Sequence, residues 1–376
     1  MHPNRVVPGS ASPGLGCRPS EDDLNPHPSI RAVGRALGPH FVDQETLLAA
    51  FRAGWGERHF NVERLADTFR ATQVGGRHLA LPLAEYPALS GWRARNDAFL
   101  RVGADLGEAA IRDALGRAGI ATSEVRHLFF VTVTGVATPS LDARLANRMG
   151  LHPTLKRTPI FGLGCMAGAA GLARASDALR AFPGEVAVVL SVELCSLTLQ
   201  QEDLSMANVV ASGLFGDGAA AVVMMGGELP AAGPRVVATR SVFYPDTERV
   251  MGWDVTDGGF KVVLSAKVPD VVQANVGRDV DAFLADHGLA RSDVRRWIAH
   301  TGGPRVLDAF GAALGLPTAA LARSWASLRT IGNLSSASVL CVLGDELDAG
   351  EARPGEVGLL AAMGPGFASE LVLLRW

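Results

Sequence analysis

The chain carries one unit twice, and this constrains its fold more than any other feature. Gly164-Cys165-Met166-Ala167-Gly168 is followed by Asp177-Ala178-Leu179, then by Pro183-Gly184-Glu185-Val186 and an apolar run. Gly332-Asn333-Leu334-Ser335-Ser336 is followed by Asp345-Glu346-Leu347, then by Pro354-Gly355-Glu356-Val357 and an apolar run. Asn333 lies 168 residues after Cys165, and the Asp-x-Leu falls 12 residues on in both copies. A fixed internal period marks a duplicated structural unit. Two copies of one shape pair about a pseudo-twofold axis, and here the equivalent points carry a thiol and an amide.

The upstream segments agree as well. Val133-Thr134-Gly135 precedes Leu141-Asp142-Ala143, and His300-Thr301-Gly302-Gly303-Pro304 precedes Leu307-Asp308-Ala309. His300 follows the apolar Trp297-Ile298-Ala299, so it is expected at a strand end, where α/β sheets bind their ligands. Strand patterns alternate with helical ones: His127 to Thr134, Val186 to Val192 and Trp297 to His300 read as strands, and Ala94 to Ala118 and Val268 to His287 as helices. This predicts an α/β fold of mostly parallel sheets covered by helices, an αβαβα sandwich of five layers built from two duplicated halves. The expected division is a disordered tail over 1–28, a half over 29–235 carrying the cysteine, and a half over 236–376 carrying His300 and Asn333.

Composition narrows the function. The chain is 48% hydrophobic and 19% charged, with a net charge of -3, so it has the core of a globular enzyme and no general affinity for nucleic acid. Four cysteines do not make a disulfide framework. No apolar run reaches the ~18 residues of a membrane span, and the N-terminus lacks a secretory pattern. The expected compartment is the cytoplasm.

The glycines of Phe161-Gly162-Leu163-Gly164 allow a tight strand-to-helix turn before Cys165. A helix N-terminus there would favour thiolate, and an apolar wall would oppose it through desolvation. Asn333 stands where a residue would cap the second helix. His300 and Asn333 could together donate to one thioester oxygen and stabilise an enolate, worth roughly 10²–10³ in rate per donor.

Five motifs in order resemble the type III polyketide synthases, the chalcone synthase-like branch of the thiolase superfamily, from Ser29 to Trp376. They are the Cys165 and His300 segments, the Asn333 segment, Leu214-Phe215-Gly216-Asp217-Gly218-Ala219-Ala220, and Met363-Gly364-Pro365-Gly366-Phe367. The resemblance implies a thiolase-like fold and a homodimer. Its substrates would be an acyl-CoA starter and malonyl-CoA, without cofactor, metal or acyl carrier protein. It assigns the nucleophile to Cys165, the enolate site to His300 and Asn333, and gatekeeping to Phe215 and Phe260. Thr134, Cys195, Thr198, Leu199 and Met251 would line the cavity, and Arg70, Lys267 and Arg305 would hold CoA phosphates. Thr134, Cys195 and Met251-Gly252-Trp253-Asp254 are similar to the bacterial alkylpyrone and alkylresorcinol synthases, which implies a fatty acyl starter. Leu199 is bulky for an open lipid tunnel, so a shorter starter stays open. Two other readings are a β-ketoacyl synthase III, which shares Cys-His-Asn, and a catalytically silent acyl-binding protein.

Overall fold

A computed structural model describes residues 27–55, 62–230 and 233–376. The tail expected over 1–28 falls almost wholly outside the described residues. Within it, Pro28 is held against the second half, its carbonyl accepting from the Val236 N–H. No described helix is long and apolar enough to cross a membrane.

The first half comprises β1 (Ser29–Leu37), β2 (His40–Asp43), α1 (Gln44–Trp55), α2 (Val62–Ala71), β3 (Gly76–Leu79), α3 (Gly91–Ala118), β4 (Val125–Thr132), α4 (Leu141–Met149), β5 (Lys156–Phe161), α5 (Ala167–Ala181), β6 (Val186–Leu194), α6 (Met206–Leu214) and β7 (Asp217–Met225). The second comprises β8 (Arg235–Phe243), β9 (Met251–Thr256), β10 (Gly259–Leu264), α7 (Val268–Ala285), β11 (Val294–Ala299), α8 (Pro304–Leu314), α9 (Ala322–Ile331), α10 (Ser336–Ala349), β12 (Val357–Gly364) and β13 (Ala368–Arg375).

The main sheet runs β11-β12-β13-β8-β1-β7-β6-β4-β5. Its two halves repeat one pattern. β4 is parallel to β6, β6 antiparallel to β7, and β7 antiparallel to β1; β11 is parallel to β12, β12 antiparallel to β13, and β13 antiparallel to β8. A single residue pair, Ser29 with Arg235, joins the halves. The sheet is therefore mixed, with antiparallel pairs in the majority, and the expectation of mostly parallel sheets is corrected. The physical reason is local: β12 returns as β13 through a tight turn at Pro365-Gly366-Phe367, too short for a parallel crossover.

Five layers follow from period-2 burial. On β7, Ala219, Ala221, Val223 and Met225 face a core with α3 and α4, while Ala220, Val222 and Met224 face α5 and α10. On β12, Leu360 and Ala362 face that same central layer, while Leu359, Ala361 and Met363 face α7 and α8. Strands buried on both faces read as continuous apolar runs, and each fully buried Val or Leu contributes about 1.5–3 kcal/mol. The two central helices meet at symmetry-equivalent residues. Gly168 of α5 lies so close to Ser336 of α10 that a Cβ on Gly168 would stand 2.2 Å from the Ser336 carbonyl oxygen. The duplication read in the sequence is thus the packing centre of the molecule.

Candidate active site

Cys165 lies in a 3₁₀ turn, Gly164–Met166, just ahead of α5. Gly164 has φ 51°, and a Cβ there would stand 2.5 Å from the Pro365 ring, so this turn accepts only glycine. The turn rests on the end of β12, where Gly364 packs against the Leu163 carbonyl and the Met166 N–H. His300 follows β11 immediately, and its N–H donates to the Ala361 carbonyl of β12. Asn333 bridges to Phe215: its N–H donates to the Leu214 carbonyl, and its carbonyl accepts from the Gly216 N–H. The carboxyl ends of β11 and β12, the Cys165 turn and the Asn333 strand thus converge as the duplication requires.

Asn333 does not cap α10. Ser335 occupies that position at φ 50°, and the Asn333 Oδ1 accepts from the Ser335 N–H at 2.8 Å. This local bond fixes the amide oxygen, and the Asn333 side chain acts on the Cys165 thiol in the direction that lowers it. The Ser335 Oγ lies 3.7 Å from Sγ. A non-glycine residue at positive φ is costly and concentrates at functional sites. Ser335 carried no separate signal in the sequence beyond its place in the motif.

Electrostatics correct the expectation of a thiolate favoured by the helix N-terminus. Burial pushes the Cys165 thiol up to about 12; the buried Glu193 adds to this, while hydrogen bonds from Ser335 and Asn333 oppose it. Burial pushes His300 down to about 4, and neither ring nitrogen has a hydrogen-bond partner among the described residues. The pair rests as neutral thiol and neutral imidazole. Glu193 itself is held up at about 7 by burial, against hydrogen bonds from Ser336, the Val133 N–H, Thr134 and Thr132. A lone carboxylate in the apolar strand Val186–Leu194 was the available sign of this network, and the sequence reading passed over it.

Two cavities flank the junction of α6 with the β9–β10 hairpin. One, of about 70 Å³, is lined by Phe215, Cys195, Thr198, Leu199, Trp253 and Val262, with Arg77, Tyr86, Ser196 and Asn208 as its polar wall. The other, of about 340 Å³, is lined by Leu214, Met251, Leu264, Gly302, Gly303 and Arg305. Along one face of the hairpin, the cross-strand pair Trp253–Val262 lines the smaller cavity and the next pair, Met251–Leu264, lines the larger, while the adjacent Leu214 and Phe215 divide between them. Phe260 lines neither; it is buried in an aromatic cluster, 5.4 Å from Trp92, 6.0 Å from Phe161 and 6.2 Å from Trp253 between ring centroids. Thr134 is also displaced from the expected lining. Its hydroxyl donates to Glu193 at 3.0 Å and accepts from the Leu194 N–H at 2.9 Å, which turns it into the buried network.

The basic residues separate. Arg305, at the start of α8, lines the larger cavity. Lys267 is exposed between its lining residues Ala266 and Val268. Arg70 is exposed and lies near Glu45 and Asp67 at 4.0 and 3.8 Å. Among the described residues, no group of His, Cys, Asp or Glu could hold a metal ion.

Duplicated α/β halves with a buried cysteine facing an asparagine across their axis define a thiolase-like enzyme of the acyltransferase type. The profile described as chalcone and stilbene synthases, N-terminal domain, matches residues 25–228, and its C-terminal counterpart matches 235–376. The chain belongs to the chalcone and stilbene synthase family and is a type III polyketide synthase. Among its relatives, the 1,3,6,8-tetrahydroxynaphthalene synthase of Streptomyces peucetius subsp. caesius is 50% identical over 351 residues, 93% of each chain. The 3,5-dihydroxyphenylacetyl-CoA synthase of Streptomyces toyocaensis is 36% identical over 93% of this chain and 90% of its own. The crystal structure of 1,3,6,8-tetrahydroxynaphthalene synthase from Streptomyces coelicolor A3(2) matches with a TM-score of 0.88 at 32% identity, covering 93% of this chain and 99% of that one.

Proposed function

We propose that this synthase builds a small polyhydroxylated aromatic from malonyl-CoA and a short acyl-CoA starter. The Cys165 thiol attacks the starter carbonyl while its proton passes to the neutral His300, and CoA leaves as the thiol. Malonyl-CoA then loses CO₂. The resulting enolate oxygen is held by the His300 N–H and the Asn333 amide, and the enolate carbon attacks the Cys165 thioester, breaking its C–S bond so that Cys165 leaves as thiolate and the extended β-ketoacyl chain is carried on CoA. Phe215, in the wall of the smaller cavity, supplies apolar surface against which loss of a carboxylate charge is favoured. The larger cavity, with Arg305 in its wall and Lys267 and Arg70 outside it, would receive the CoA arm. The reaction as written needs no cofactor and no acyl carrier protein.

The carrying observation is the size of the cavity beside Cys195, Thr198 and Leu199. At about 70 Å³ it is the smaller of the two cavities, and part of its wall is polar. This favours a short starter over the fatty acyl starter first expected, and a hydroxylated aromatic over an alkylpyrone or alkylresorcinol. Relatives named for tetrahydroxynaphthalene and dihydroxyphenylacetyl-CoA support the same reading. The test is mass spectrometry of products from the purified chain with malonyl-CoA alone and with acyl-CoA starters from acetyl to palmitoyl. Hydroxylated aromatics from malonyl-CoA or short starters are expected. Long-chain alkylpyrones would restore the lipid reading, and a single condensation would favour a β-ketoacyl synthase.

We also infer a homodimer through β5. This strand ends the sheet, and all of its residues except Ile160 are exposed. An unpaired edge of this kind is a template for a second copy.

A further inference from the structure

The smaller cavity has one wall whose chemistry the condensation leaves unused. Arg77, on β3, is 3% exposed. Its Nη1 donates to the Phe215 carbonyl at 2.6 Å, and its Nε, also buried, has no hydrogen-bond partner among the described residues. The nearest compensating charge, Asp217, already accepts from the Ala80 N–H, the Ser196 N–H and the Ser196 hydroxyl. Burial lowers the guanidinium only to about 10, so it remains cationic at neutral pH. A buried charged donor left unmet is expensive, so a partner for it is expected. Arg77 lines a cavity that also carries Tyr86, Ser196 and Asn208.

We propose that Arg77 is a specificity-determining residue that reads an anionic oxygen, the terminal carboxylate of an acyl group carried on Cys165. The proposal rests on the acyl-transfer reading above and adds the chemistry of the chain's free end. The cavity is coupled to the nucleophile: Cys195 in its wall interacts electrostatically with both Cys165 and Arg77, and Phe215 in the same wall bridges to Asn333. A guanidinium matches a carboxylate in geometry and charge. The competing role is that of a brace, since Arg77 also packs under Gly216 and Gly332 beside that bridge. A brace acts on every starter alike, whereas a reader of charge discriminates.

The test measures initial rates of Cys165 acylation by intact mass on the full chain. Succinyl-, glutaryl- and adipyl-CoA are compared with butyryl-, pentanoyl- and hexanoyl-CoA at matched length. At one length or more the carboxylated starter should load roughly 10- to 100-fold faster, the range of a charged hydrogen bond. Arg77→Gln should abolish that ratio, and Arg77→Lys should keep part of it. Equal loading at every length in the unaltered protein overturns the proposal, as does an Arg77→Gln loss equal for both series. If Arg77→Gln fails to fold, the unaltered protein's ratio and Arg77→Lys decide. Absence of acylation by any starter overturns the acyl-transfer reading, and this proposal falls with it.

Discussion

Cys165 and His300 are both forced toward neutrality by burial, and this has a direct kinetic consequence. A thiol held near 12 is protonated across the neutral range, and its reactive fraction grows about tenfold per pH unit. Alkylation of Cys165 by iodoacetamide should therefore climb continuously from about pH 6 to about pH 9, and a plateau near neutrality would show an ion pair instead. Cys165→Ala should reduce condensation to background. Asn333→Ala should slow malonyl-CoA decarboxylation by roughly 10²–10³ while affecting acylation of Cys165 less. His300→Ala should slow both steps, and equal losses in the two variants would argue against separate roles. At this scale the sequence named the thiol, imidazole and amide, because each sits in a glycine-rich segment whose spacing betrays it. It missed Ser335, Glu193 and Arg77, whose importance comes from neighbours more than 100 residues away in the chain.

At the scale of elements, the crossing of α5 and α10 is the most exacting contact. Gly168→Ala would drive a methyl group into the Ser336 carbonyl, so it should destabilise the fold by about 1–3 kcal/mol, read as a lower urea midpoint. The β5 edge carries a separate prediction. Thr158→Glu places a charge on the exposed strand and should convert a dimer to monomers in sedimentation, and an unchanged mass would remove β5 from the interface. Most helices and strands were legible from periodicity: α3 ends at Gly119 in the left-handed conformation that a C-cap uses. Five elements were not. β2 and β3 are strands of four residues each, α6 and α9 are short segments of nine and ten residues, and β9 pairs with its hairpin partner β10. α9 also lies where the first half has β5, so the repeat itself misleads there.

Across the whole molecule, the two cavities lie on either side of α6 and the β9–β10 hairpin, and Phe215, in the wall of the smaller one, bridges to Asn333. Leu199 closes part of the smaller cavity. Leu199→Ala should extend the accepted starters by several carbons, seen as longer-chain products by mass spectrometry, and an unchanged range would place the limit at another wall. The sequence by itself determined the duplication, the α/β class and the family, and it singled out Cys165, His300 and Asn333 as the proposed trio, because these are written as spacing and residue type along the chain. The tertiary structure decided the protonation of Cys165 and His300, the turning of Thr134 into a buried network, the enclosure of Phe260 by aromatic rings and the size of the cavity. Each of these depends on burial and on contacts between distant segments. A linear pattern specifies which face of an element is apolar, but the volume left between such faces is fixed only when they pack.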